Sequence, residues 1–105
     1  MANLTEITLE KLQQAENPID CQPVLLELEQ TLPDDLAVRS ATLLRAGEIL
    51  NAKGQYQDAF RILESAFQQA KKCRSLGMQA LALGLIADIY RAQGDFRSAL
   101  GKLTE

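Results

Sequence analysis

The sequence predicts an all-α chain in which antiparallel helix pairs stack as a short solenoid of about five to six helices. Three observations carry that expectation. Ala, Leu, Glu, Lys and Arg supply 51 of the 105 residues, whereas Val, Ile and Thr supply 13. Unbranched side chains lose less rotamer freedom in a helix, so this balance favours helices over strands. Shifting the chain by 40 positions aligns residues 41–65 with 81–105 without a gap, with Leu43/Leu83, Ile49/Ile89, Ala52/Ala92, Gly54/Gly94, Ala59/Ala99 and Leu63/Leu103 identical. A self-similar period of this length marks stacked supersecondary units. Within each unit, apolar residues recur at helical spacing and stop at a glycine.

Leu4, Ile7, Leu9, Leu12 and Ala15 suit a short first helix, which Asn17-Pro18 breaks. Asp20 is placed to cap a second helix, with Pro23 in its first turn, where a missing amide costs little. Val24, Leu25, Leu28 and Leu32 give that helix its apolar face. Pro33-Asp34-Asp35 ends it and starts a long helix through about Lys53, striped by Leu43, Ala46, Gly47 and Leu50. Gly54 stops this helix, because glycine enters the left-handed C-terminal cap without steric cost. The next stripe is Ala59, Ile62, Leu63, Ala66 and Phe67, and Lys71-Lys72-Cys73-Arg74-Ser75-Leu76-Gly77 reads as a linker.

The second unit repeats the pattern with Leu83, Ile86, Ala87 and Tyr90, a stop at Gly94, and a shortened stripe of Ala99, Leu100 and Leu103. Asp95 is a good cap for its second helix; Gln55, the counterpart in the first unit, is a poorer one. Gly47 with Ala59, and Ala87 with Ala99, place one small residue on each helix of a pair, so the helix axes can approach closely. Tyr56 and Phe96 can plug the turns. The chain reads as a single domain, 1–105. Residues 1–35 are a degenerate repeat or an N-terminal cap, 36–75 a repeat, and 76–105 a repeat whose second helix is cut short.

Composition narrows the chemistry. Histidine and tryptophan are absent, which removes His-based acid–base catalysis and the common His-containing zinc sites. Glu27 and Glu29 fall on different faces of one helix and make no acid/base pair. Cys21 and Cys73 read as two free thiols in helical segments, and no base or oxyanion site is recognisable beside Cys73. The expectation is therefore no enzyme and no cofactor. The start of the chain lacks the basic and apolar run of a signal peptide. Its longest apolar stretch, about Ala80–Ala87, falls far short of the roughly 20 residues that span a membrane. A soluble, cytoplasmic chain without membrane contact is expected.

Charge is unevenly divided. Residues 1–35 hold eight acids and one base, Lys11, while residues 36–105 hold ten bases and six acids, so the net charge of −3 divides into −7 and +4. Such asymmetry bears on self-association and partner choice. Lys71, Lys72 and Arg74 form a basic cluster near a helix end, where the helix dipole favours positive charge. The acidic total and only five aromatic residues argue against nucleic acid as a partner.

The segments Leu43–Ala66 and Leu83–Leu103 resemble the tetratricopeptide repeat, whose units are helix–turn–helix pairs. Gly47, Ala59 and Ala66 match its small-residue positions in the first unit, and Ala87 and Ala99 in the second. Leu83, Tyr90 and the turn Gly94-Asp95-Phe96 match as well. Leu50 departs from the expected aromatic, Lys71 stands where a closing proline is common, and the spacing is 40 rather than 34. With the linker Lys71–Gly77, the longer unit looks like an extended variant found in regulatory and scaffold proteins.

The resemblance implies a right-handed α-solenoid whose first helices line a concave face. By register that face holds Arg45, Glu48 and Asn51 in one unit and Leu85, Asp88 and Arg91 in the next. It implies a non-catalytic protein–protein interaction module that binds a peptide or partner protein there. Glu48 and Asp88 favour a peptide with basic residues by charge complementarity. They also stand where amides would help to clamp a terminal carboxylate, which argues against that activity. Two alternatives remain open: a regulatory or sensory fragment at the N-terminal side of a larger signalling protein, and a homodimerising structural domain whose uncapped last helices cover each other.

Overall fold

The computed structural model describes residues 4–94. These form five helices and no strand: α1 (Leu4–Gln14), α2 (Pro18–Thr31), α3 (Leu36–Ala52), α4 (Tyr56–Lys72) and α5 (Leu76–Ala92). Asp95, Phe96, Ala99, Leu100 and Leu103, and with them the shortened last helix and any homodimer contact through it, lie outside the described residues.

The 40-residue period has a simple construction. α3, α4 and α5 are each 17 residues long, and α3 and α5 start 40 residues apart. Only Lys53–Gln55 and Cys73–Ser75 separate them. The segment Lys71–Gly77, expected as a linker, is thus a three-residue turn whose flanks continue the helices. The extra length of the unit lies in its helices.

Side-chain chemistry sets most helix starts. α2 begins one turn before the expected place, because Asn17 rather than Asp20 is its cap: Asn17 Oδ1 accepts the Asp20 amide at 2.9 Å. Pro18 then occupies the first turn, and Pro23 falls beyond it, inside the helix. Its missing amide leaves the Ile19 carbonyl without an intrahelical donor. Asp35 caps α3 by accepting the amides of Ala37 and Val38 at 2.9 and 3.2 Å. Ser75 caps α5 through Met78 N–H at 3.2 Å. Gln55 makes no side-chain cap for α4.

The ends of α3, α4 and α5 share one geometry. After α3, Gly54 has φ +76°; its amide bonds Asn51 O at 3.0 Å, and the Gln55 amide reaches back to Leu50 O at 3.0 Å. That is a Schellman closure. Gly94, at φ +82°, repeats the Asn51 bond one unit on by bonding Arg91 O at 3.0 Å. α4 closes in the same way through Arg74 N–H to Lys71 O and Ser75 N–H to Ala70 O, but with an arginine at φ 59°. A β-carbon in this region costs about 1–2 kcal/mol.

Packing makes antiparallel neighbours. Thr5 Oγ1 donates to Thr31 O, and Lys11 pairs with Glu27, which sets α1 against α2. Ser40 Oγ donates to Ala66 O at 2.9 Å in the interior, joining α3 to α4. Phe60 and Tyr90 meet edge to face, 5.8 Å between ring centres, joining α4 to α5. α3 also packs between α1 and α5, so these three form one layer. α2 and α4 form the other, linked by Gln22 to Asp58 at 2.8 Å and Arg61 to Glu29 at 2.8 Å. The shortest extent of the molecule, 18 Å against 40 and 32 Å, fits two helix layers.

The core runs between the layers and holds Leu12, Leu25, Leu28, Leu50, Ile62, Leu63, Ile86 and Ile89, all fully buried. Two expected members of the first stripe, Leu4 and Ile7, are 70% and 40% exposed; Thr8 is buried in their stead, its hydroxyl donating to Leu4 O at 2.8 Å. The tightest approach is between α3 and α4. A β-carbon on Gly47 would stand 2.4 Å from Leu63 Cδ2 and 2.5 Å from Leu63 Cγ.

Two stability outcomes follow from these contacts. Gly47→Val should destabilise the fold by about 1–3 kcal/mol through overpacking, read as a fall in Tm, and Leu63→Ala in the same chain should recover part of that loss. A Gly47→Val chain that melts unchanged would contradict the contact. Arg74→Gly should raise stability by about 1 kcal/mol, or about 4–8 °C in Tm for a domain of this size.

Candidate functional site

The α1–α3–α5 layer carries a groove of 480 Å³ lined by Thr5, Glu6 and Leu9 of α1, Ala37, Val38, Ala41, Thr42 and Arg45 of α3, Pro33 before it, and Met78 of α5. Helical geometry puts Ala41 and Arg45 in line, four residues apart, and the short side chains of Ala37 and Ala41 leave the trough open. Asp35 fixes the start of this wall through its cap bonds. Arg39 Nε donates to Pro33 O at 2.9 Å and holds the adjoining corner.

Glu48 faces a second hollow of 470 Å³, with Gln13, Ile49, Ala52 and Lys53. Lys53 ties this end together: its Nζ donates to Gln13 O at 2.7 Å and Ala15 O at 2.6 Å. These are the carbonyls that the end of α1 leaves without helical partners, so a side chain of α3 caps α1.

Leu85, Asp88 and Arg91 lie elsewhere, along a hollow of 430 Å³ on the flank of α5 with Gly77, Leu81 and Gly84. Asp88 and Arg91 form an ion pair with each other, one turn apart. On α3, Glu48 is the counterpart of Asp88 and Asn51 that of Arg91, and neither Glu48 nor Arg45 takes part in an ion pair among the described residues. Asn51 is half-buried, and its carbonyl accepts the Gly54 amide at the end of α3. The six expected groove residues thus stand along two helices, and five of them, all but Asn51, line three different hollows.

The residues expected to shape the repeat take packing positions. Gly47, Ala59, Ala66 and Ala87 are buried, and Tyr56 and Tyr90 are half-buried beside the turn and the α4–α5 contact. Sequence reasoning missed Thr5, Glu6, Leu9, Val38 and Met78 as groove residues. Only Val38 carried a signal, an apolar side chain 51% exposed on a helix whose stripe lies elsewhere. Both cysteines are free, Cys21 buried and Cys73 half-buried. Among the described residues no group of three His, Cys, Asp or Glu could hold a metal ion, and no helix is long and apolar enough to cross a membrane.

A family model described as tetratricopeptide repeat matches residues 39–105, more than half of the chain, beginning inside α3. The chain belongs to the tetratricopeptide repeat family. Comparison with curated proteins and with solved structures finds no match. Tetratricopeptide repeats are generally protein–protein interaction modules and typically non-catalytic, so this chain is read from its surfaces. Of the two units in the 40-residue register, α3–α4 is the one whose two helices are both described, and the groove is walled by α1 and Met78 in addition to that unit.

Replacing Lys53 with Met, which keeps the stem but not the donor, should loosen α1 from α3. Amide exchange in α1 should then rise by about tenfold while that of α4 and α5 stays the same. Unchanged exchange in α1 would mean that Lys53 does not hold it.

Proposed function

We propose that the chain is a non-catalytic interaction module that holds an extended peptide or a partner helix in the α1–α3–α5 groove. One observation carries the reading: an open trough of 480 Å³ with short apolar side chains on its α3 wall and an arginine at its edge. That volume is in the range of small-ligand pockets, yet the site is a groove bounded by three helices, which suits a chain segment better than an enclosed molecule. Such grooves bind through a few apolar anchors, with charged groups setting orientation.

The charges refine the partner. Asp88 is neutralised by Arg91 on its own helix, so it adds little attraction for a basic peptide. Glu48 retains that attraction, and Arg45, one turn away, adds a site for an acid. The reading is a segment with apolar residues for the trough, an acidic group at Arg45 and a basic group at Glu48. Complementary charges of this kind set register and encounter rate more than affinity.

A peptide-display selection on the purified chain tests this. Selected peptides should lose about tenfold or more in affinity when Ala41→Arg fills the trough, with helicity unchanged. Arg45→Glu should shift the selection from acidic to basic residues at one position. Peptides that bind Ala41→Arg and Arg45→Glu as well as they bind the parent chain would move the site off this groove.

A further inference from the structure

α2 and α4 occupy equivalent places in one layer, and their outer faces differ. Each follows its cap residue, Asn17 or Gln55, and their starts lie 38 residues apart. In that register the buried Cys21, Leu25 and Leu28 fall on Ala59, Leu63 and Ala66, so both helices turn the same side to the core. The places of Gln57, Arg61 and Glu64 on α4 are taken on α2 by Ile19, Pro23 and Leu26. Ile19 is 82% and Leu26 61% exposed, with Pro23 exposed between them. Spaced by four and then three residues, these side chains form one apolar stripe, about 10 Å long. The sister helix shows that the fold does not need it: α4 is polar at the same three places.

Local charge says what fits the stripe. From Leu12 to Val38 the chain holds six acids and no base. Glu27, Glu29 and Asp34 are paired with Lys11, Arg61 and Arg39, and Asp35 caps α3. Glu16, just before α2, and Asp20, in its first turn, are exposed and take part in no ion pair among the described residues. Lys53 reaches the end of α1, but its ammonium sits on the carbonyls of Gln13 and Ala15. Pro23 also leaves the Ile19 carbonyl open to a donor from outside. We propose that this face of α2 docks an amphipathic helix of a partner protein, with apolar residues on Ile19, Pro23 and Leu26 and lysine or arginine beside them. A helical ridge packs well against the groove of a facing helix. The flanking bases meet Glu16 and Asp20 and can donate to the Ile19 carbonyl. A second α2 would bring like charge to the stripe, which disfavours self-docking. The stripe lies in the α2–α4 layer, apart from the groove, and does not depend on what the groove binds.

Amide NMR of the purified chain tests the proposal, titrated with a designed helical peptide that carries leucines along one side and lysines on both flanks of them. Shifts should concentrate on residues 18–30, and affinity should fall as salt rises. The same peptide with glutamates for lysines, or with serines for leucines, should bind about tenfold more weakly or worse. Ile19→Gln with Leu26→Gln gives α2 the polarity of α4 and should cost about tenfold in affinity, with circular dichroism unchanged. Glu16→Gln with Asp20→Asn should cost about three- to tenfold at low salt. Shifts confined to the groove, a glutamate or serine peptide that binds as well, or variants that bind as the parent does would each overturn it. Self-association of the parent that Ile19→Gln with Leu26→Gln abolishes would put a second copy on the stripe and overturn it too.

Discussion

The approach of α3 to α4 at Gly47 is the constraint on which the rest of the stack depends. Leu63 occupies the space that a β-carbon on Gly47 would need, and both residues are buried. With the axes this close, the Ser40 hydroxyl reaches the Ala66 carbonyl across the pair, and a buried polar group gains the partner that burial demands. α1 and α5 then dock on α3, and α5 also packs on α4. Widening the α3–α4 gap by one side chain would therefore displace the surfaces on which every described helix except α2 directly rests.

Much of this fold was legible in the sequence, and the reasons are local. Gly54 and Gly94 were readable as stops because only a left-handed residue closes a helix in this way, and glycine enters that region freely. The stripe Leu43, Ala46, Gly47 and Leu50 was readable because it repeats at helical spacing, and all four are buried. Arg74 was not readable: it takes the same left-handed position with a side chain that disfavours it, so the turn passed for part of a long linker. Asn17 and Asp20 are both good cap residues, and their sequence neighbourhood did not separate them. Placing the cap at Asn17 also moves Pro23 out of the first turn.

The candidate site was less legible because it is made between helices. Register alone assigned Arg45 and Glu48 to α3 and Leu85 and Asp88 to α5. It could not show that α1 rises beside α3 as a third wall, since the N-terminal residues do not follow the 40-residue period. Thr5, Glu6 and Leu9 therefore carried no sign of their place in the groove. Nor does charge read from sequence tell which ions are already satisfied. Asp88 and Glu48 look equivalent in the alignment of the two units, yet one faces an arginine one turn ahead on its own helix and the other does not.

The connectivity of the layers has a consequence for how the molecule forms and comes apart. Among the described residues, each helix packs against helices next to it in the chain or next but one, and against none more distant. Contacts of short sequence separation close small loops, so little chain entropy has to be lost before packing begins to offset it. In such a linear array each unit answers mainly to its neighbours. Opening can begin at α1 while the α3–α4 pair stays closed around Gly47, which leaves the described stack a rigid centre with an outer helix that responds separately.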